Sequence, residues 1–106
     1  MTKREVIKDL TDRGVFALVD SISSDLDADT DPNHAAVNKR LAYLISRVGE
    51  MREWLHFDIR EMVQFVTMAY GLEDGLGMAD MDLTADIEED LRDLFEIVCD
   101  VCYPLM

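Results

Sequence analysis

The residues best placed to do chemistry are carboxylates in the last third of the chain. At about 100° per residue, six of them share an arc of roughly 120° on a helix predicted over residues 83–102. These six form the acidic stripe: Asp86, Glu89, Asp90, Asp93, Glu96 and Asp100. At a rise of about 1.5 Å per residue, their spacing is about 3.5–4 Å, close to the roughly 3.4 Å between phosphates on one DNA strand.

Carboxylates at this spacing predict a surface that pairs with arginine and lysine and imitates nucleic-acid phosphates. Like charges repeat four residues apart at Asp86/Asp90, Glu89/Asp93 and Glu96/Asp100, and each such pair mildly destabilises a helix. That repetition favours a binding role. The alternative is that the acids only keep an outer helix face soluble, as they do on many proteins.

The net charge narrows the classes of partner. Ten basic residues against 23 acidic ones give a formal charge of −13, which repels nucleic acid and anionic lipid. We therefore expect no direct contact with nucleic acid or membrane. The predicted partner is instead a basic nucleic-acid-binding protein, contacted by the stripe and by four acids that precede it: Glu73, Asp74, Asp80 and Asp82.

A second acidic segment lies earlier in the chain. Asp25, Asp27, Asp29 and Asp31 alternate as in the first half of an EF-hand calcium loop. Thr30 and Ala36 stand where that loop needs its glycine and its bidentate glutamate, so an acidic linker that caps the next helix is the better interpretation.

The cysteines and histidines do not predict a metal site. Cys99 and Cys102 form one Cys-x-x-Cys near the end of a predicted helix, and His34 and His56 lie far from them in sequence. A zinc site needs four ligands brought together, so we expect neither a metal nor another cofactor. Two cysteines and no apolar leader after the charged N-terminus favour a reducing, cytoplasmic compartment.

One enzymatic alternative comes from a resemblance. Glu50-x-x-Glu53 followed by Asp90-x-x-Asp93 resembles the paired acidic motifs of MazG-type all-helical nucleotide pyrophosphohydrolases. The resemblance implies magnesium held between neighbouring helices. The family's second motif is normally Glu-x-x-Asp and follows sooner, so we predict a protein that is not an enzyme.

The elements that must position the stripe are all helical. We predict one all-α domain over residues 1–106, a small four-helix bundle with an acidic linker at 24–31 and a Gly/Met-containing loop at 71–82. The first helix is predicted over 3–23, the second from Pro32 along an apolar seam ending at Leu55, and the third over 58–70. Gly71 is its predicted C-cap.

The predicted function is therefore that of a non-catalytic inhibitor. Its acidic surface would block a basic partner, in the manner of the anti-restriction and anti-CRISPR proteins of phages and mobile elements. The main alternative is a structural or regulatory module that self-associates, for example as a homodimer. The association would use exposed apolar residues such as Trp54, Met78 and Met81.

Overall fold

A computed structural model describes residues 1–77 and 85–106, and the side chains of 1–72 and 87–106. It confirms the predicted all-α fold. The helices are α1 (Lys3–Asp12), α2 (Val15–Ala28), α3 (Ala35–Glu50), α4 (Ile59–Gly77) and α5 (Ala85–Cys102), and the described residues contain no strand. Short 3-10 turns follow α2, α3 and α5, at Pro32–His34, Trp54–His56 and Tyr103–Leu105.

Four helices form a closed ring. α2 packs against α3, α3 against α4, α4 against α5, and α5 against α2, while α1 lies across α2 and α5. α2 runs antiparallel to α3, since Asp29 near its end contacts Asn38 and Asp20 nearer its start contacts Arg52. The core inside the ring is aliphatic, and its largest fully buried side chains include Leu10, Ile22, Leu41, Leu44, Ile45, Met62, Leu91 and Leu94.

The first predicted helix is in fact two. Gly14 has a φ of 86°, a left-handed conformation that costs a residue with a Cβ atom about 1–2 kcal/mol but is open to glycine. Gly14 therefore ends α1, which begins at the capping box of Thr2 and Glu5, and changes the direction of the chain before α2. Because Leu26 is buried, α2 continues to Ala28, and the linker is shorter than the predicted 24–31.

The second predicted helix ends early. Asp31 caps the Pro32–His34 turn as predicted, its side chain accepting from the Asn33 amide at 2.9 Å. α3 then stops at Glu50, and Glu53 has an extended backbone. The prediction that Leu55 continues the apolar seam is wrong, since its side chain is 87% exposed.

α4 is longer than predicted. Gly71 does not cap it at residue 70, because the helix continues to Gly77. Leu72 packs against the core, and Tyr70 stacks on Phe95 of α5 with ring centroids 4.6 Å apart. Such packing offsets the roughly 1 kcal/mol that a glycine costs within a helix. The predicted loop is therefore helical over 71–77, and its residues 78–82, with residues 83 and 84 of the last predicted helix, lie outside the described residues.

In the described part of the chain, no helix has the length and apolar character that crossing a membrane requires.

Candidate functional site: the outer face of α5

The register of α5 is set by its buried side. Ile87, Leu91, Leu94 and Val98 are each at most 1% exposed, at the three- and four-residue steps that keep one helix face on the core. The opposite face must then carry the acids. In the structure, Glu89, Asp93, Glu96 and Asp100 are exposed and Asp90 is half-buried.

The structure brings five of the predicted site residues onto one surface. These are the stripe residues whose side chains are described: Glu89, Asp90, Asp93, Glu96 and Asp100. Asp86 lies on α5 and Glu73 and Asp74 lie on α4, but their side chains are outside the description, and Asp80 and Asp82 lie outside the described residues altogether.

Several acids elsewhere in the molecule have basic partners. On α1, Asp12 pairs with Lys8 at 2.8 Å and Asp9 with Arg13 at 3.1 Å, both at the four-residue spacing. Asp20 of α2 pairs with Arg52 at 2.9 Å. Among described residues, none of the five stripe carboxylates takes part in a salt bridge. Their charge is therefore left for solvent or for a partner.

One member of the stripe is tied to the neighbouring helix. The Ser21 hydroxyl on α2 donates to Oδ2 of Asp90 at 3.0 Å. This bond fixes the inner edge of the stripe against α2.

An open groove runs beside the stripe, between the start of α2 and α5. Ala17, Leu18 and Ile97 form its apolar walls, and Asp93 and Glu96 lie at its acidic edge. Arg13, which is paired with Asp9, also lines the groove. Gly14 also lines it, and a Cβ atom built there would meet nothing within 4 Å. The sequence did not indicate this groove, since the break at Gly14 was needed to bring α2 alongside α5 in this way.

In the acidic linker at 25–31, the Asp29 carboxylate is already bound by neighbouring side-chain and backbone groups. Oδ2 of Asp29 accepts from Asn38 Nδ2 at 2.9 Å and lies 2.8 Å from His34 Nδ1, while its Oδ1 accepts from the Asp31 amide at 3.0 Å. The bonds from the Asn38 side chain, the Asp31 backbone and His34 lower the pKa of Asp29 to about 2. This network joins the end of α2 to the start of α3, as expected for a capping linker.

No metal cluster is found in the part of the chain that the structure describes, where no three His, Cys, Asp or Glu side chains converge to hold an ion. The cysteines are poor ligands and nucleophiles as they stand. Burial raises the pKa of both thiols, that of Cys102 to about 11, so both stay protonated at neutral pH.

The two acidic pairs behind the pyrophosphohydrolase resemblance line different surfaces. Glu50 and Glu53 border a groove between α2 and α3 that also contains Asp20. Asp90 bonds to α2 from α5, and Asp93 borders the groove on that side. α2 therefore lies between the two pairs in the ring.

Trp54 is exposed, as the self-association alternative expects. Tyr43 is 51% exposed and Trp54 is 44% exposed. The exposure of Leu55 was missed, because the four-and-three spacing placed it in a helix that had already ended.

Comparison of the chain with protein-family models, with curated proteins and with solved structures finds no match.

Proposed function

We propose that this chain is a non-catalytic inhibitor that occupies the nucleic-acid-binding surface of a basic partner with the carboxylates of the acidic stripe. The compartment we propose is the cytoplasm. The biological setting we propose is that of a phage or mobile-element protein directed against restriction or CRISPR machinery, on the analogy of its acidic composition.

One observation carries this proposal: the exposed carboxylates of α5 form no salt bridge with any described residue, although acids on α1 and α2 do. Repeated like charge on one helix face costs stability. A partner's arginines and lysines would offset that repulsion while releasing the nucleic acid that they otherwise bind.

The stripe also suits the geometry of such a partner. A rigid helix packed on the core by Leu91 and Leu94 presents its charges in a fixed row, as a nucleic-acid backbone presents phosphates. Long-range attraction to this row would raise the rate of association by about 10- to 1,000-fold over an uncharged surface. Binding should therefore weaken as salt screens the charges.

The test is capture of partners from a host lysate on the tagged chain, at about 50 mM and about 500 mM salt. These concentrations shorten the Debye length from about 13 Å to about 4 Å. We expect a basic nucleic-acid-binding protein to be captured at low salt and largely lost at high salt.

A competition step separates mimicry from nonspecific charge attraction. Short duplex DNA or RNA, added to the purified complex, should displace the chain, because both ligands need the same basic surface. A complex that withstands both salt and an excess of nucleic acid would contradict the proposed function.

A further inference from the structure

One end of the bundle is apolar at its surface and differs from the rest of the molecule. In the 3-10 turn after α3, Trp54 is 44% exposed and Leu55 is 87% exposed. After α5, Leu105 is 37% exposed and Met106 is 56% exposed. We call these four residues the end patch. Lys3 and Arg4 at the start of α1 connect its two halves, since Arg4 lies over the Trp54 ring and Lys3 lines a groove with Leu105 and Met106.

The patch is held in place from beneath. Phe57, directly after the turn, is only 4% exposed, and the His56 amide donates to the Glu53 carbonyl at 3.0 Å. The Arg4 guanidinium lies 5.4 Å from the centre of the Trp54 ring, within cation–π range. A surface that is ordered before it binds loses less conformational entropy on association.

Charge distinguishes this end from the rest. Residues 1–4, 52–61 and 103–106 contain four basic side chains (Lys3, Arg4, Arg52 and Arg60) and three acidic ones (Glu53, Asp58 and Glu61), and Asp20 adds a fourth acid through its salt bridge with Arg52. The remaining residues contain six basic and 19 acidic side chains. Two copies of the chain would thus repel each other strongly along most of their surface and least at this end.

We propose that the end patch is a homodimer interface, in which Trp54 and Leu55 of one copy pack against the same patch of a second copy. In a two-fold interface the same surface meets itself with its residues exchanged. An end that carries both signs can then set the basic residues of each copy opposite the acidic residues of the other. Trp and Arg are also the residue types most enriched among those that dominate interface energies.

The geometry adds a consequence for the acidic stripe. A dimer joined at this end would carry two stripes, one on each copy, and so could engage a partner at two sites with a gain in avidity. Dimerisation itself does not depend on the function proposed for the stripe.

The test is the solution mass of the full chain, measured by sedimentation equilibrium over a range of concentrations. We expect a dimer of about 24 kDa, twice the chain mass of 12.1 kDa. The dimer should be retained or strengthened between about 50 and about 500 mM salt, because salt screens the repulsion between the two acidic chains. Leu55→Glu should raise the dimer dissociation constant by about tenfold or more. Trp54→Ala should act in the same direction without adding charge.

Tyr43→Glu is the matched control, because Tyr43 is also a large exposed side chain, 51% accessible, and lies mid-helix on α3. This variant should remain a dimer. The far-ultraviolet circular dichroism of each variant reports whether it is folded. A wild-type chain that is monomeric throughout, or dimers that persist in both folded patch variants, would overturn the proposal.

Discussion

Two acidic regions of this molecule use their carboxylates differently. At the junction of α2 and α3, Asp29 accepts hydrogen bonds from Asn38 and from the Asp31 amide, and Asp31 caps the following turn. On α5, the exposed side chains of Asp93, Glu96 and Asp100 form neither a hydrogen bond nor a salt bridge with any described residue. The first region uses its charge to hold the fold, whereas the second leaves it to the surroundings.

The difference shows that the density of acidic residues does not by itself indicate a binding surface. From the sequence alone, the four aspartates within the seven residues 25–31 are as good a candidate for a binding surface as the stripe. What separates the two regions is the supply of donors: the linker lies beside His34 and Asn38, whose groups turn inward toward Asp29. On the outer face of α5, Arg13 lines the groove beside Asp93 and Glu96, but no described basic group lies within salt-bridge distance of a stripe carboxylate.

The largest expected effect is on partner binding. Replacing Asp90, Asp93 and Glu96 with Asn, Asn and Gln removes the middle of the stripe and keeps the size of each side chain. Association with the captured partner should slow by about 10- to 1,000-fold, since electrostatic steering is lost. Biolayer interferometry with the purified partner measures this rate.

The matched control removes the same net charge elsewhere. Asp12→Asn, Asp27→Asn and Glu88→Gln together change three exposed acids outside both the stripe and the proposed dimer interface. Their combined variant should associate nearly as fast as wild type. Equal slowing of both triple variants would mean that total charge, rather than the stripe, governs binding.

The next effect is on the linker. Asp29→Ala should lower the melting temperature by several degrees, because the buried Asn38 side chain loses its acceptor. Asp93→Ala should not lower it. Thermal denaturation followed by circular dichroism compares the two, and equal losses would remove the distinction between the two acidic regions.

Acid should abolish the effect of Asp29. Its pKa is lowered from an ordinary value near 3.8 to about 2 in the folded chain, so its contribution to stability is complete above about pH 4 and is lost as the pH falls toward about 2. The difference in melting temperature between wild type and Asp29→Ala should therefore narrow over that range. A constant difference from pH 5 to pH 2 would show that the Asp29 charge contributes nothing.

The smallest effect is a gain in stability on α5. The stripe triple variant relieves three like-charged pairs at four-residue spacing, each worth about 0.2–0.5 kcal/mol. The free energy of unfolding in urea should rise by about 0.5–1.5 kcal/mol at low salt and by less at high salt. The control triple variant should show no such gain, and a loss of stability in the stripe variant would mean that these acids support the fold.

Much of the fold could be predicted from apolar spacing, which identified α5, its buried side and therefore the direction of the stripe. The starts of helices and turns can also be predicted, because a cap is a hydrogen bond from a backbone amide to a side chain two or three residues earlier. The capping side chains are those of Thr2, Asp31 and Asp58. The ends were less predictable. Gly14 breaks a helix, whereas Gly71 lies within one. The difference depends on the residues that pack around each glycine, and these contacts cannot be read from the sequence.

The partners of acids that bond across helices were beyond prediction for the same reason. Asp20 meets Arg52 from 32 residues away and Ser21 meets Asp90 from 69 residues away. The helical period gave the direction in which each acid points. The packing of α2 between α3 and α5 decided that Asp20 and Asp90 find partners on another helix or turn.

The central claim is most directly tested by titrating the isotopically labelled chain with an oligoarginine peptide and following its amide resonances. We expect the largest shifts on the outer face of α5, at Glu89, Asp93, Glu96 and Asp100, with small shifts at Asp29 and Asp31. Shifts as large in the linker as on α5, or spread evenly over all exposed acids, would contradict the account.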